Sequence, residues 1–133
     1  MQAIGEFRVC EFTPVGEPPE IEVGLPAGHA RMVKEFTGEI EGRSITQFSF
    51  VYDGERGGTY MATESFTGTV AGRVGALAFV HSATDRGDGV RTDQFFLIVP
   101  GSGSGELVGA TGGGAIEIDD DGTHRLVLDL EVV

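Results

Sequence analysis

The sequence predicts an all-β domain, a single antiparallel up-and-down β-barrel of eight strands, and three observations carry that prediction. A stretch repeats: Phe36-Thr37-Gly38-Glu39-Ile40-Glu41-Gly42-Arg43 returns thirty positions later as Phe66-Thr67-Gly68-Thr69-Val70-Ala71-Gly72-Arg73. Each copy is entered by alternating residues and followed by an apolar stretch, residues 48–52 and 77–81. That is the signature of a β-hairpin unit, and hairpin units in series make a meander that can close on itself. Second, 22 of the 133 residues are glycine, which disfavours helix interiors and marks turns, bulges and tight bends in sheets. Third, period-2 alternation recurs along the chain while no window sustains a helical period.

Taken in order, residues 2–13 read as a first strand. Residues 14–28, with Pro14, Pro18, Pro19 and Pro26, read as an irregular loop able to cross a barrel mouth. Residues 30–39 form a second strand ending at the Gly42-Arg43 turn, and residues 44–52 a third. Asp53-Gly54-Glu55-Arg56-Gly57-Gly58 is a hairpin loop rich in positive-φ residue types. Residues 59–70 and 75–82 are the fourth and fifth strands, residues 84–89 a turn, and residues 90–99 a sixth strand closed by Pro100. The Gly101-Ser102-Gly103-Ser104-Gly105 run has linker composition, but too little chain follows for a second core, so it reads as a turn into short Gly-rich segments at 106–109 and 113–119. Asp119-Asp120-Asp121-Gly122 turns into a last strand, residues 124–132. The count is seven or eight strands, and eight close with room for side chains or one small ligand.

One domain spanning 1–133 is large enough to bury a core without staples. A hydrophobic content of 40% lies outside the disordered range. The net charge of −12, from 21 acidic against nine basic residues, disfavours nucleic acid, whose phosphates must be neutralised by Lys and Arg. It equally disfavours anionic membrane surfaces, and reads as a self-repelling soluble surface. The single cysteine, Cys10, excludes an intrachain disulfide and reads as a small apolar strand residue rather than a nucleophile. With no basic start, no signal-like apolar run and no stretch of 18 apolar residues, the expected location is the cytoplasm.

Alternation assigns the interior. Tyr60, Ala62, Glu64 and Phe66 share one face, and Met32, Lys34 and Phe36 hold the matching places of the first repeat. Phe48, Phe50 and Tyr52 join them, then Leu77, Phe79 and His81. In the last strand Leu126, Leu128 and Leu130 face in while Arg125, Asp129 and Glu131 face out. Three ionisable residues therefore stand on an apolar face: Lys34, Glu64 and His81. Buried charges are normally paired or neutralised by a shifted pKa, so Glu64 and His81 are the candidate acid/base pair. The candidate ligand-binding set is Lys34, Phe50, Tyr52, Tyr60, Glu64, Phe79 and His81. The blander readings place Lys34 at the rim with its ammonium in solvent, make Glu64 and His81 buried partners without a substrate, or shift the phase by one residue. In the sixth strand Phe95 and Leu97 oppose Phe96 and Ile98, so both faces are expected to be covered, a hint of a homo-oligomer.

Other motifs fail on spacing. The three aspartates lack the spaced oxygen ligands and closing Glu of a calcium loop. His29, His81 and His124 have no short zinc spacing, and the 101–105 run lacks the Lys-Ser/Thr and helix of a phosphate loop. Ser44, Ser49, Ser65 and Ser82 sit in no nucleophile elbow. No metal and no cofactor is expected.

Residues 66–75 running on to Phe79-Val80-His81-Ser82, the Val99-Pro100-Gly101-Ser102-Gly103-Ser104-Gly105-Glu106-Leu107-Val108-Gly109 stretch, and Lys34-Glu35-Phe36-Thr37-Gly38-Glu39-Ile40-Glu41-Gly42 resemble the signatures of an uncharacterised bacterial domain-of-unknown-function family. The resemblance spans about residues 34–114. It implies an eight-stranded barrel similar to the allene oxide cyclase and lipocalin-like folds and no established activity. Allene oxide cyclase closes an epoxide-bearing fatty acid inside its barrel, but no residue here matches its site, and fold analogy carries little about reaction. Three functions follow as expectations. The barrel holds a small apolar or amphipathic ligand; or it is an isomerase or cyclase using Glu64 or His81; or it is plugged by its own side chains and serves a structural or interaction role.

Overall fold

The computed structural model describes residues 1–133, which form nine strands and no helix. They are β1 (Gln2–Val15), β2 (Ala27–Gly38), β3 (Ile40–Asp53), β4 (Gly57–Val70), β5 (Arg73–Asp85), β6 (Arg91–Ile98), β7 (Ser104–Gly105), β8 (Thr111–Ile118) and β9 (His124–Glu131). All pair antiparallel in one sheet of order β4-β3-β2-β1-β9-β8-β6-β5-β7, and an additional β4–β5 pairing closes the sheet into a ring. With no helix there is none long and apolar enough to cross a membrane.

Seven of the eight long strands are those the alternation predicts, with moved ends, and β8 lies on the Gly-rich segment expected at residues 113–119. The ninth, β7, lies inside the Gly-Ser run expected to be a turn. It pairs Gly105 with Gly75 and Ser104 with Ala76 of β5. The Ser102 hydroxyl accepts from the Ala78 amide at 3.0 Å and donates to the Val99 carbonyl at 2.7 Å. Residues 106–109, expected as a short segment of their own, form a turn whose Leu107 is fully buried, as is Ala110 just after it. The Val99–Gly109 signature is thus a strap across one end of the ring.

The proline-rich loop is shorter than expected. β1 runs through Pro14 to Val15, and β2 begins at Ala27. Proline is tolerated there because β1 pairs with β9 only as far as Phe7 and beyond it pairs on one side.

Two bulges break the alternation. Val9 opposes Lys34 but Glu11 opposes Val33, so Cys10 is an extra residue in β1. Cys10 is therefore exposed rather than a packed strand residue. On β6, Phe95 opposes Ser82 but Thr92 opposes Thr84, which leaves one residue too many around Asp93. Asp93 has φ 52°, the left-handed conformation that Asp tolerates through local hydrogen bonding. A bulge reverses which side chains beyond it face inward.

The core fills the half of the ring nearest the strap and the two repeat turns. Phe36, Phe66, Phe79, Ile40, Ile98, Leu126, Leu128 and Leu130 meet there, with Phe36 and Phe66 edge to face at 5.5 Å. The outward phase of β6 is not covered within the chain: Phe95 is 52% and Leu97 37% exposed.

The repeated glycines serve a close approach. Gly42 opposes Gly68 across β3 and β4, and a Cβ on Gly68 would stand 2.0 Å from the Glu41 carbonyl oxygen and 2.8 Å from the Gly42 Cα. With φ at 155°, Gly68 has neither the room nor the backbone for a side chain. Gly68→Ala is expected to lower stability by roughly 2–4 kcal/mol, read as a shifted urea midpoint with unchanged slope.

Candidate functional site

At the end of the ring away from the strap, the interior opens into a cavity of about 410 Å³. β1 supplies Phe12 to its wall, β2 Met32, β3 Phe48 and Phe50, and β4 Tyr60 and Ala62. Phe12 faces in because the Cys10 bulge reverses the alternation, and it meets Phe48 at 5.5 Å between ring centres. Tyr52 stands at the rim, 41% exposed, and Phe50 is half-buried.

Beneath the apolar wall lies a polar network. Glu64 is 2% exposed and Lys34 4%. The Lys34 ammonium donates to Glu64 Oε1 at 3.0 Å, and the Ser44 hydroxyl donates to Oε2 at 2.6 Å. His81 Nε2 lies 2.8 Å from Oε1. Its other ring nitrogen, Nδ1, is 2.9 Å from the Tyr60 hydroxyl, which accepts from Arg91 Nη2 at 3.1 Å. The chain of contacts runs unbroken from the sealed carboxylate to the cavity wall.

Burial by itself pushes the Glu64 carboxyl up. The Lys34 ammonium, the hydrogen bond and charge of His81, and the Ser44 hydroxyl outweigh it and hold the carboxyl down at about 2. Glu64 is therefore ionised and can only accept, so His81 Nε2 carries a hydrogen. In the neutral imidazole Nδ1 is then the acceptor, and Tyr60 donates to it while accepting from Arg91. From the Glu64 carboxylate to the Tyr60 hydroxyl every polar atom of that relay has a partner, as a buried network requires.

Residues 3–130 match a family described as "Protein of unknown function (DUF3224)". The chain belongs to the DUF3224 family. A crystal structure of a DUF3224 protein of unknown function from Shewanella oneidensis MR-1 is similar to it, with a TM-score of 0.81 and 28% identity. The match covers 100% of this chain and 98% of that one. No curated protein matches the chain. The match reaches well beyond residues 34–114, where the sequence resemblance lay.

In this DUF3224 protein the structure brings together Lys34, Tyr60, Glu64 and His81, and it places Phe50 and Tyr52 on the cavity wall. Lys34 is not at the rim; its ammonium is sealed against Glu64 and lies 4.7 Å from the centre of the Phe7 ring. Phe79 does not line the cavity. It is fully buried between Phe66 and Phe96, at 6.2 and 5.1 Å between centres, and forms the floor under Glu64. Sequence reasoning missed Ser44 as the second hydrogen-bond donor to Glu64, although its place opposite Phe66 was implied by the hairpin register. It also missed Arg91 and Thr46. Thr46 lies directly opposite Glu64 in the same register. No cluster of three or more His, Cys, Asp or Glu side chains has the geometry to hold a metal ion.

Glu64→Gln is expected to cost about 3–5 kcal/mol at neutral pH, because it leaves the buried Lys34 without a counter-charge. A Lys34→Met/Glu64→Met double variant is expected to lose less than Glu64→Gln alone. The carboxyl is lowered in the folded state, so its contribution is complete above the ordinary value of 4.5 and is lost as pH falls toward about 2. Urea titrations of wild type and Glu64→Gln across that window should converge as the pH drops.

Proposed function

We propose that the protein binds a small apolar or amphipathic molecule inside the ring, which we read as an eight-stranded up-and-down barrel of the lipocalin-like or allene oxide cyclase-like kind. The observation that carries this reading is the cavity itself. Its volume of about 410 Å³ falls in the range of small-molecule sites, which combine apolar walls with a few placed polar groups. The competing reading, a ring plugged by its own side chains, accounts for the half packed around Phe36, Phe66 and Phe79 and leaves the other half without a role.

Native mass spectrometry of protein purified from its own host tests the reading, with denaturation to release and identify any bound compound. A stoichiometric apolar compound is expected. Ala62→Phe, which projects a ring from the cavity wall, is expected to abolish its retention while the far-ultraviolet circular dichroism stays that of wild type. A clean apo mass that persists after soaking in mixtures of apolar compounds would sink the reading.

The hydrogen-bond relay favours one second reading, an isomerase or cyclase acting on the bound molecule. Tyr60 is the relay member whose hydroxyl stands at the cavity wall. It would exchange a proton with the ligand, with His81 Nδ1 as the partner and Glu64 holding the imidazole in place, the arrangement general acid–base catalysis needs. Tyr60→Phe is then expected to lower turnover about 100-fold or more while the ligand is still retained. Unchanged turnover in Tyr60→Phe would exclude the relay as the catalytic device.

A further inference from the structure

We propose that the cavity takes a flat apolar molecule bearing an oxyanion, an aromatic carboxylate being the simplest case, with the anionic group seated against Arg91. The proposal rests on the reading of the cavity as a ligand site and adds the chemical class of the ligand. Only two buried side-chain nitrogen or oxygen atoms in the protein lack a hydrogen-bond partner, Thr46 Oγ1 and Arg91 Nε. Both residues line this one cavity. Buried polar groups are otherwise almost always paired, so two exceptions at one site point to an occupant with polar atoms of its own.

Arg91 fixes the charge of that occupant. Its guanidinium gives one Nη2 hydrogen bond to Tyr60 and lies 5.6 Å from the centre of the Tyr60 ring, and it forms no ion pair with any carboxylate. The one carboxylate on the cavity wall, Asp85, opposes Arg91 in the ladder but accepts the backbone amides of Gly87 and Gly89 at 2.8 and 3.2 Å. Lys34 is committed to Glu64. In a protein of net charge −12, a guanidinium at the wall of an apolar cavity with one hydrogen bond and no carboxylate paired to it is matched by an anion of planar, forked geometry. The wall of Phe12, Phe48, Phe50 and Tyr60, whose rings meet one another edge-on or tilted, suits a flat ring system behind that group.

The backbone is built to present this side chain. Strict alternation from Ile98 and Phe96 would turn Arg91 outward. The extra residue at the Asp93 bulge, with its φ of 52°, turns it into the cavity instead. Bulges commonly re-aim a side chain beside a site.

The test compares 2-naphthoate with its neutral near-isostere 2-naphthamide by fluorescence titration of the wild-type protein, then repeats both with Arg91→Met and Arg91→Lys. The carboxylate is expected to bind about tenfold or more tightly than the amide. Arg91→Met should remove that preference, bringing the two affinities together, and Arg91→Lys, which keeps the charge without the fork, should retain only part of it. Equal affinities for the two compounds in wild type would overturn the proposal and leave the cavity reading standing, independently of how any variant folds. A carboxylate preference that survives in a folded Arg91→Met would also overturn it. If neither compound binds and the host-purified protein carries no ligand, the cavity reading falls and this proposal with it.

Discussion

Everything inside the ring is arranged around one carboxylate that solvent does not reach. Glu64 neutralises Lys34, is held by Ser44, and fixes the orientation of His81, which in turn meets Tyr60 and through it Arg91. Desolvating a carboxylate and an ammonium together costs several kcal/mol per ion, and their attraction repays this only when the remaining lone pairs are also satisfied. Here Oε1 takes Lys34 and His81 while Oε2 takes Ser44, so the carboxylate has three donors from three strands. Such a pair adds little net stability over an apolar pair of similar volume. What it supplies is a fixed polar surface at the base of an otherwise apolar cavity.

The ring divides into two unequal environments. Below Glu64, Phe66, Phe79 and the leucines of β9 pack to closure. Above it, the interior opens into the cavity, whose wall carries Phe12, Phe48, Phe50 and Tyr60. The sheet is weakest on the side where β6 meets β8, which share only the pairings Leu97 with Gly113 and Ile98 with Gly112. Glycines there let Phe96 lie close against the β8 backbone: a Cβ on Gly114 would stand 3.2 Å from the Phe96 ring.

Much of this was legible in the sequence, for a physical reason. The repeat and the alternation reflect one constraint, an apolar face that must turn inward on every strand, so Lys34, Glu64 and His81 stood out as ionisable residues on that face. Their mutual contact follows once β2, β3, β4 and β5 pair as consecutive hairpins. What the pattern could not carry are the two bulges. An extra residue at Cys10 or Asp93 leaves composition and local period almost unchanged yet reverses every side chain beyond it, so alternation alone would not place Phe12 and Arg91 on the inward face. Strand ends were misplaced for a related reason. Pro14 and Ser104 are poor strand residues by propensity, and tertiary pairing with β2 and β5 overrides it. Tyr52 and Phe79 were correctly placed on the inward face, but alternation says nothing of depth, and one sits at the rim while the other lies in the floor.

Lys34 and Glu64 occupy the same place in the two copies of the repeat, on β2 and β4, with β3 between them. An apolar face defined by period-2 alternation is blind to a shift by two residues, since every side chain keeps its side of the sheet. Such a shift in either pairing that flanks β3 would carry the ammonium about 7 Å from the carboxylate and strand two charges in the interior. Misaligned hairpins that hydrophobic contacts alone would tolerate are thereby penalised electrostatically. A pair of leucines at positions 34 and 64 would pack as well and would accept the wrong alignment almost as readily as the right one.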